Sequence, residues 1–278
     1  MVGAEGRLSG PSLADRREDG AFDAAQEWTG PAVSTRAGST PVHPHAAREP
    51  VRADPSWATL YRVGAFSALV YVVLVLVPVV LVFAAPVPPT DGAALMTYIA
   101  AHRGVYLTEL VCFVGLSVPA LVVFAAVAAA LKEVNKSVAL IGGLFGVVSE
   151  TIALALGSSP QSLNGGLVVL SSSYTSAASD AQRAGVASAA DALIAATNAV
   201  SWAGILTAAA ILALSSTMAR SDFGRGVALV GVVAGTVGIV AEALRPVIGS
   251  AYLVYGLLLP AWFALVGWKL LGLRRNVA

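Results

Sequence analysis

Long runs of apolar residues without charges alternate along this chain with short polar stretches. Six of the runs are about 20 residues long or longer, which is the length that an α-helix needs to cross a membrane. We predict six transmembrane helices, one to six, over residues 62–85, 105–131, 137–157, 191–218, 226–244 and 248–271. The pattern therefore predicts an all-α integral membrane protein, a bundle of six transmembrane helices.

The polar stretches set the ends of these helices. Prolines at 86, 88 and 89 end helix one, because proline has no N–H to donate to the helical ladder. Thr90 or Asp91 then caps a short helix over Gly92–Ala101, which we expect to lie on the membrane surface.

The longest connection covers residues 158–190 and is rich in serine and alanine. Its apolar island at 167–170 is too short to cross a membrane. The island either re-enters the membrane or packs on the top of the bundle. Helix four begins at Asp191 or a few turns earlier.

Both ends of the chain are predicted to lie outside the bundle. Residues 1–56 are polar and show no apolar periodicity, so we expect a disordered cytoplasmic tail before the transmembrane domain at 57–273. Residues 274–278 form a short C-terminal tail. His43 and His45 flank a proline in the first tail, where a solvated pair is favoured over a metal site.

Lysines and arginines are distributed unequally between the two sides of such a bundle. One side has three, Arg103, Arg183 and Arg245. The other side has ten: Arg48, Arg52, Arg62, Lys132, Lys136, Arg220, Arg225, Lys269, Arg274 and Arg275. The positive-inside rule then predicts a multi-pass protein of the cell membrane with both termini in the cytoplasm.

Composition agrees with a membrane protein and narrows the chemistry. The mean hydropathy is +0.78, with 57% hydrophobic and 12% charged residues, outside the range of ordinary soluble domains. No cluster of Lys and Arg indicates nucleic-acid binding, so membrane lipids are the expected partners. Cys112 is the only cysteine, which excludes an intramolecular disulfide. We expect no metal and no cofactor.

Two helices present glycine on one face together with an acid. Gly142, Gly146 and Glu150 recur at four-residue spacing in helix three and therefore share a face. Helix five repeats the pattern with Gly231, Gly235, Gly238, Glu242 and Arg245. Small residues are where transmembrane helices pack closely. The glycines at 142, 146, 231 and 235 are thus predicted at close contacts, with helices three and five near the bundle centre.

Ionisable residues inside a membrane are costly and indicate a functional site. The candidate intramembrane polar site comprises Glu150, Asp191, Asn198, Glu242, Arg245 and Glu109, all toward the outer side. A structural role is the alternative. Arg245 would pair with Glu242, Glu150 or Asp191 and lock the outer helix ends, and the acids near helix ends would be wet. For Glu150, deeper in its helix, the functional and structural interpretations stand equally.

Three short motifs resemble those of a known family. They are Tyr-Arg-Val-Gly-Ala at 61–65, Leu-Lys-Glu-Val-Asn at 131–135, and Tyr-Gly-Leu-Leu-Leu-Pro-Ala-Trp at 255–262 followed by Gly-Trp-Lys-Leu-Leu at 267–271. Over residues 57–273 the chain resembles a family of uncharacterised bacterial multi-pass membrane proteins, a domain of unknown function. The resemblance implies a helical membrane fold and no established activity, so no catalytic residue follows from it.

Three functions remain open from the sequence. The first is a non-enzymatic bundle that binds a lipid or a partner protein, including a second copy of itself. The second is a carrier of a small solute or ion that uses the outer acids. The third is an intramembrane enzyme, which the lack of an HExxH motif and of a glycine-elbow serine with an available histidine disfavours.

Overall fold

The computed structural model describes residues 51–81, 83–157, 163–248 and 251–275. Most of the predicted N-terminal tail, including His43 and His45, lies outside the described residues, as do residues 276–278. The helix at the C-terminal end runs through Arg275, two residues into the predicted C-terminal tail.

Every regular element longer than one turn in the described residues is helical. A 3₁₀-helix over Pro55–Trp57 precedes α1 (Ala58–Leu81), α2 (Gly92–Ala101), α3 (Arg103–Gly115), α4 (Ser117–Leu131), α5 (Lys136–Leu156), α6 (Leu163–Thr175), α7 (Asp180–Ser201), α8 (Gly204–Met218), α9 (Gly224–Ala243), α10 (Arg245–Ile248) and α11 (Tyr252–Arg275).

Six segments of the described chain are long and apolar enough to cross a membrane. Span one is the 3₁₀-helix with α1, span two is α3 with α4, span three is α5, span four is α7 with α8, span five is α9 and span six is α11. The predicted fold class is therefore confirmed: the protein is an all-α, multi-pass membrane protein with six transmembrane spans.

Helix α8 lies between the two glycine-bearing helices. It packs on α5 and on α9, whereas α1 packs on α4 and α11. Ala210, Ile211, Leu214 and Met218 of α8 are buried and belong to one core cluster. The side chains that face away from this core are apolar too, among them Phe66, Leu140, Leu229 and Leu257. An apolar outer surface of this kind suits lipid, because water gives it no stabilisation.

All four glycines of the two seams face neighbouring helices at very short range. A Cβ atom built on Gly142 would lie 2.7 Å from Leu214, and one on Gly235 would lie 2.6 Å from the Leu212 nitrogen. One on Gly146 would overlap the Phe124 ring. The close contacts predicted for these glycines are therefore present in the structure. The seams face α4 and α8 in one case and α8 and α11 in the other, so both seams contact α8.

One end of the bundle is covered by a small cap of helices, formed by α2, α6 and the first half of α7. Leu95, Met96, Ile99, Leu167 and Ala190 pack together there as a separate buried cluster. The predicted loop at 158–190 thus contains a helix, α6, which packs on α2 and α7. Span four is 39 residues long, about 58 Å of helix at 1.5 Å per residue, so its first turns extend beyond a bilayer core of about 30 Å.

The opposite end, the turn end, holds the residues just before α1. Val51 donates its N–H to the Arg220 carbonyl at 2.9 Å, and the Ala53 N–H donates to Asp222 Oδ2 at 3.0 Å. Asp54 accepts from Lys132 Nζ at 2.6 Å and caps the 3₁₀-helix through the Ser56 N–H. Residues 51–56, assigned to the tail from sequence, therefore lie against the bundle. The Lys132 ammonium is the main reason that the pKa of Asp54 falls to about 2.

Candidate functional site

Span two is interrupted in the middle, where α3 ends at Gly115 and α4 begins at Ser117. Pro119 explains the break, because it has no N–H to donate to the carbonyl four residues earlier, that of Gly115. The break places Ser117 in the first turn of α4, where its side chain is fully buried.

Span four is interrupted as well, at Trp202 and Ala203, between α7 and α8. No proline lies near this break. The N–H groups of Ala203, Ile205 and Leu206 donate to the carbonyls three residues earlier, at 3.0, 3.1 and 2.9 Å, so the chain forms a tighter turn. Ala203 consequently presents its carbonyl to a side chain of another helix.

Glu150 lies between these two interruptions, and it is only 5% exposed. Thr207 Oγ1, in the first turn of α8, is 3.2 Å from Glu150 Oε1. The neighbouring Ser149 hydroxyl donates to the Ala203 carbonyl at 2.8 Å and is 2.6 Å from Thr207 Oγ1. The Ser117 hydroxyl is close to the Glu150 carboxyl, although it makes no hydrogen bond of good geometry within the described chain. The buried Glu150 carboxyl is thus surrounded by hydroxyl groups where spans two, three and four meet.

A second buried acid lies beside the same end of α8. Glu242 is 4% exposed and accepts a hydrogen bond of 2.6 Å from the Tyr252 hydroxyl. Arg245 Nη1 is 3.7 Å from Glu242 Oε2, and the Arg245 guanidinium also stacks over the Tyr252 ring at 4.9 Å. The carboxyl lies so close to Gly204 that a Cβ atom built there would be 2.8 Å from it.

Glu150 and Glu242 therefore both lie beside the first turn of α8. The buried rings of Tyr71 and Tyr255 lie within electrostatic range of Glu150, and Tyr255 lies within range of Glu242 also. We call Ser149, Glu150, Thr207, Glu242 and Tyr252 the acid pair site. Two acids with hydroxyl donors and backbone carbonyls exposed at helix breaks are groups that bind protons or small hard cations.

The structure does not bring all of the predicted site residues together. Asp191 was placed with the acids because helix four was predicted to begin there, whereas α7 begins at Asp180. Asp191 therefore lies in the cap, where its Oδ1 accepts the Gly92 N–H at 2.6 Å and holds the start of α2. Arg245 pairs with Glu242, one of the three partners considered from sequence.

Glu109 and Asn198 also lie away from the acid pair. Glu109 is partly exposed on α3, within electrostatic range of Tyr98 and Tyr106. Asn198 lines a pocket of about 230 Å³ between the cap and the bundle. The other lining residues are Pro88, Pro89, Thr90, Leu95, Tyr106, Leu167, Ile194 and Thr197.

Hydroxyl residues of the acid pair site were missed in the sequence. Ser149, Thr207 and Tyr252 are common residue types, and serine and threonine occur throughout transmembrane helices bonded to their own backbone. The sequence did mark these two positions, since Ser149 lies next to Glu150 and Thr207 lies next to Ala208, each within a mostly apolar run. Which carbonyl or carboxyl they face depends on the helix breaks.

No family model, curated protein or solved structure matches this chain.

Proposed function

We propose that the protein is a membrane carrier that binds a proton or a small cation at the acid pair site, reached from the cap end of the bundle. The observation that supports this proposal most directly is the convergence of two interrupted spans on one buried carboxyl, that of Glu150. Interrupted helices near the middle of a membrane expose backbone groups that apolar surroundings cannot satisfy, and transporters use them to bind ions.

The position of the acids supports the same interpretation. Glu150 lies six residues before the end of α5, about 9 Å of helix, so it is neither at the membrane surface nor accessible to an exposed cation. A structural lock needs an acid paired with a base, and Glu242 has such a partner in Arg245, whereas Glu150 is a second acid with no base within ion-pair distance in the described chain. The second acid is the feature that a carrier uses and a lock does not.

The experiment is a flux measurement in sealed vesicles. Proteoliposomes loaded with a pH-sensitive dye are given an inward proton gradient, with potassium and valinomycin present to clamp the membrane potential. We expect wild-type vesicles to acidify faster than protein-free vesicles and Glu150→Gln to abolish the difference. Glu109→Gln is the matched control, because it removes an acid from the cap half of span two without touching the acid pair.

Sodium, lithium and potassium gradients, imposed in the same vesicles at constant pH, test for a cation other than the proton. Equal rates for wild-type, Glu150→Gln and protein-free vesicles under all four gradients would overturn the proposal.

We further infer that the chain lies in the cell membrane with the turn end in the cytoplasm. The start of α1, the α4–α5 turn and the α8–α9 turn meet at the turn end, and Lys269 of α11 lies there beside Gly224. This is the side with ten basic residues. Reporter fusions after Glu133 and at the C-terminus should give a cytoplasmic signal, and one at Ser173 an external signal. A cytoplasmic signal at Ser173 would overturn this orientation.

A specific observation supports a second function, lipid binding. The pocket between the cap and the bundle is mostly apolar with a few hydroxyl and amide groups, which is the usual lining of a ligand site. Its position beside the end of span one suits one acyl chain entering from the membrane. A bulky Leu167→Trp change should then reduce the radiolabelled palmitate retained after detergent exchange. Val169→Trp, which faces outward on the same helix, should not.

A further inference from the structure

The number of hydrogen atoms available to the contacts around Glu150 depends on whether its carboxyl is protonated. Three oxygen–oxygen contacts run in a chain: Glu150 to Thr207 at 3.2 Å, Thr207 to Ser149 at 2.6 Å, and Ser149 to the Ala203 carbonyl at 2.8 Å. Each contact needs one hydrogen atom to be attractive. The two hydroxyl groups supply one hydrogen each, the Ala203 carbonyl supplies none, and an ionised carboxylate supplies none.

An ionised Glu150 therefore leaves one of the three contacts without a hydrogen atom. A proton on the Glu150 carboxyl supplies the third. The chain then runs in one direction, with Glu150 donating to Thr207, Thr207 to Ser149, and Ser149 to the Ala203 carbonyl. This arrangement alone satisfies all three contacts at once.

The surroundings of Glu150 favour the neutral acid for a second, independent reason. No lysine, arginine or histidine in the described chain lies within ion-pair distance of its carboxyl. The groups that face it from α4, α8, α1 and α11 are Ser117, Thr207, Tyr71 and Tyr255, all of them uncharged. A carboxylate buried without a counter-charge is far more costly than a neutral acid that donates a hydrogen bond.

Glu242 has the opposite surroundings. Its Oε1 accepts a hydrogen bond from the Tyr252 hydroxyl, and the Arg245 guanidinium lies 3.7 Å from its Oε2, which has no hydrogen-bond partner in the described chain. Glu242 thus has a cation beside it, whereas Glu150 has none in the described chain.

We propose that the ion handled by the site is a proton, held on Glu150, and that this proton locks the interruption in span four. When the proton leaves for water, Thr207 turns its hydrogen to the carboxylate and Ser149 turns its hydrogen to Thr207. The Ala203 carbonyl then loses its side-chain donor, and α5 is no longer tied to the break. The identity of the ion rests on the proposed carrier function. The proton-dependent contact between Ser149 and Ala203 does not, because it requires no transport.

The first measurement is the infrared spectrum of the purified full-length protein in lipid vesicles. A protonated carboxyl in an apolar site has a C=O stretching band separate from that of carboxylates. We expect wild type to show this band, Glu150→Gln to lose it, and Glu242→Gln to keep it. A spectrum in which Glu150→Gln leaves the protonated-carboxyl band unchanged would overturn the assignment of the proton.

The second measurement follows the break itself, using Trp202, which is 55% exposed and adjacent to Ala203. Protein labelled with 5-fluorotryptophan gives one ¹⁹F signal per tryptophan, and Trp202→Phe identifies the signal of interest. This signal should shift with pH in wild type and stay constant in Glu150→Gln, whose amide donates to Thr207 as the protonated acid does. Ser149→Ala should also remove the pH response, because it deletes the tie to Ala203. A Trp202 signal that responds to pH equally in all three proteins would overturn the lock.

The two proposals fail in different ways. Loss of the band in Glu150→Gln together with no proton or cation flux would remove the carrier function and leave the proton lock standing. Cation flux that depends on Glu150, without a protonated-carboxyl band, would retain the carrier and show that its ion is not a proton.

Discussion

Gly146→Ala tests the close packing of α5 against α4, because it adds a single methyl group at their contact. A Cβ atom at this position would overlap the ring of Phe124. The ring has little freedom to move, because Phe124 is fully buried and packs against Trp262 at 6.1 Å and Phe263 at 5.8 Å between centroids. Overpacking of this kind costs about 1–3 kcal/mol. Replacing a mid-helix glycine returns about 0.5–1 kcal/mol, so Gly146→Ala should lower the free energy of unfolding by roughly 0.5–2 kcal/mol.

The chain offers a matched control in Gly256, inside α11, where a built Cβ atom meets no other atom within 4 Å. Gly256→Ala should raise stability by roughly 0.5–1 kcal/mol, since only the helix propensity changes. Unfolding by SDS in mixed micelles, followed by tryptophan fluorescence, gives both values. Phe124→Leu, combined with Gly146→Ala, should recover part of the loss in a double-mutant cycle. Equal effects of the two alanine substitutions, or no coupling between positions 124 and 146, would refute this reasoning.

Two further predictions concern the ends of the bundle. The Lys132 contact lowers the pKa of Asp54 from 3.8 to about 2. The ion pair therefore stabilises the fold at pH values above 3.8, and this stabilisation is lost as the pH falls toward 2. Asp54→Asn should remove this part of the pH dependence of the melting temperature. Asp191→Ala removes the acceptor of the Gly92 N–H and should destabilise the cap by roughly 0.5–2 kcal/mol, as loss of a helix N-cap does, measured as faster amide exchange in α2 with exchange in α8 unchanged.

Most of the fold could be predicted because membrane insertion imposes a length requirement. A run of about 20 apolar residues has few alternatives to a transmembrane helix, whatever packs beside it. The prediction that Glu150 faces protein and not lipid followed from Gly142 and Gly146 on the same helical face, and the buried position of all three agrees with it.

The start of span four could not be predicted by the same reasoning. Residues 180–190 contain Asp180, Gln182 and Arg183 among alanines and a serine, so their hydropathy is that of a loop. They form a helix all the same, because Ser179 caps it through the Gln182 N–H and because alanine favours helix strongly. Hydropathy measures whether a segment suits lipid and not whether it is helical. The later of the two predicted starts, Asp191, is the one that put this residue in the predicted polar site, and the observed start at Asp180 agrees with the earlier one.

The two interruptions near Glu150 differ in their cause, and the difference matters for function. Pro119 interrupts span two through covalent structure, since no rearrangement can give it an N–H, and the break is therefore permanent. Residues 198–207 contain no proline, so span four is free to form a continuous helix as far as its own backbone is concerned. At this break the Ala203 carbonyl accepts both the Leu206 N–H, at 2.9 Å, and the Ser149 hydroxyl of α5, at 2.8 Å. Under the proposed proton lock, only the second of these bonds depends on Glu150, so we expect span four, and not span two, to respond to the proton.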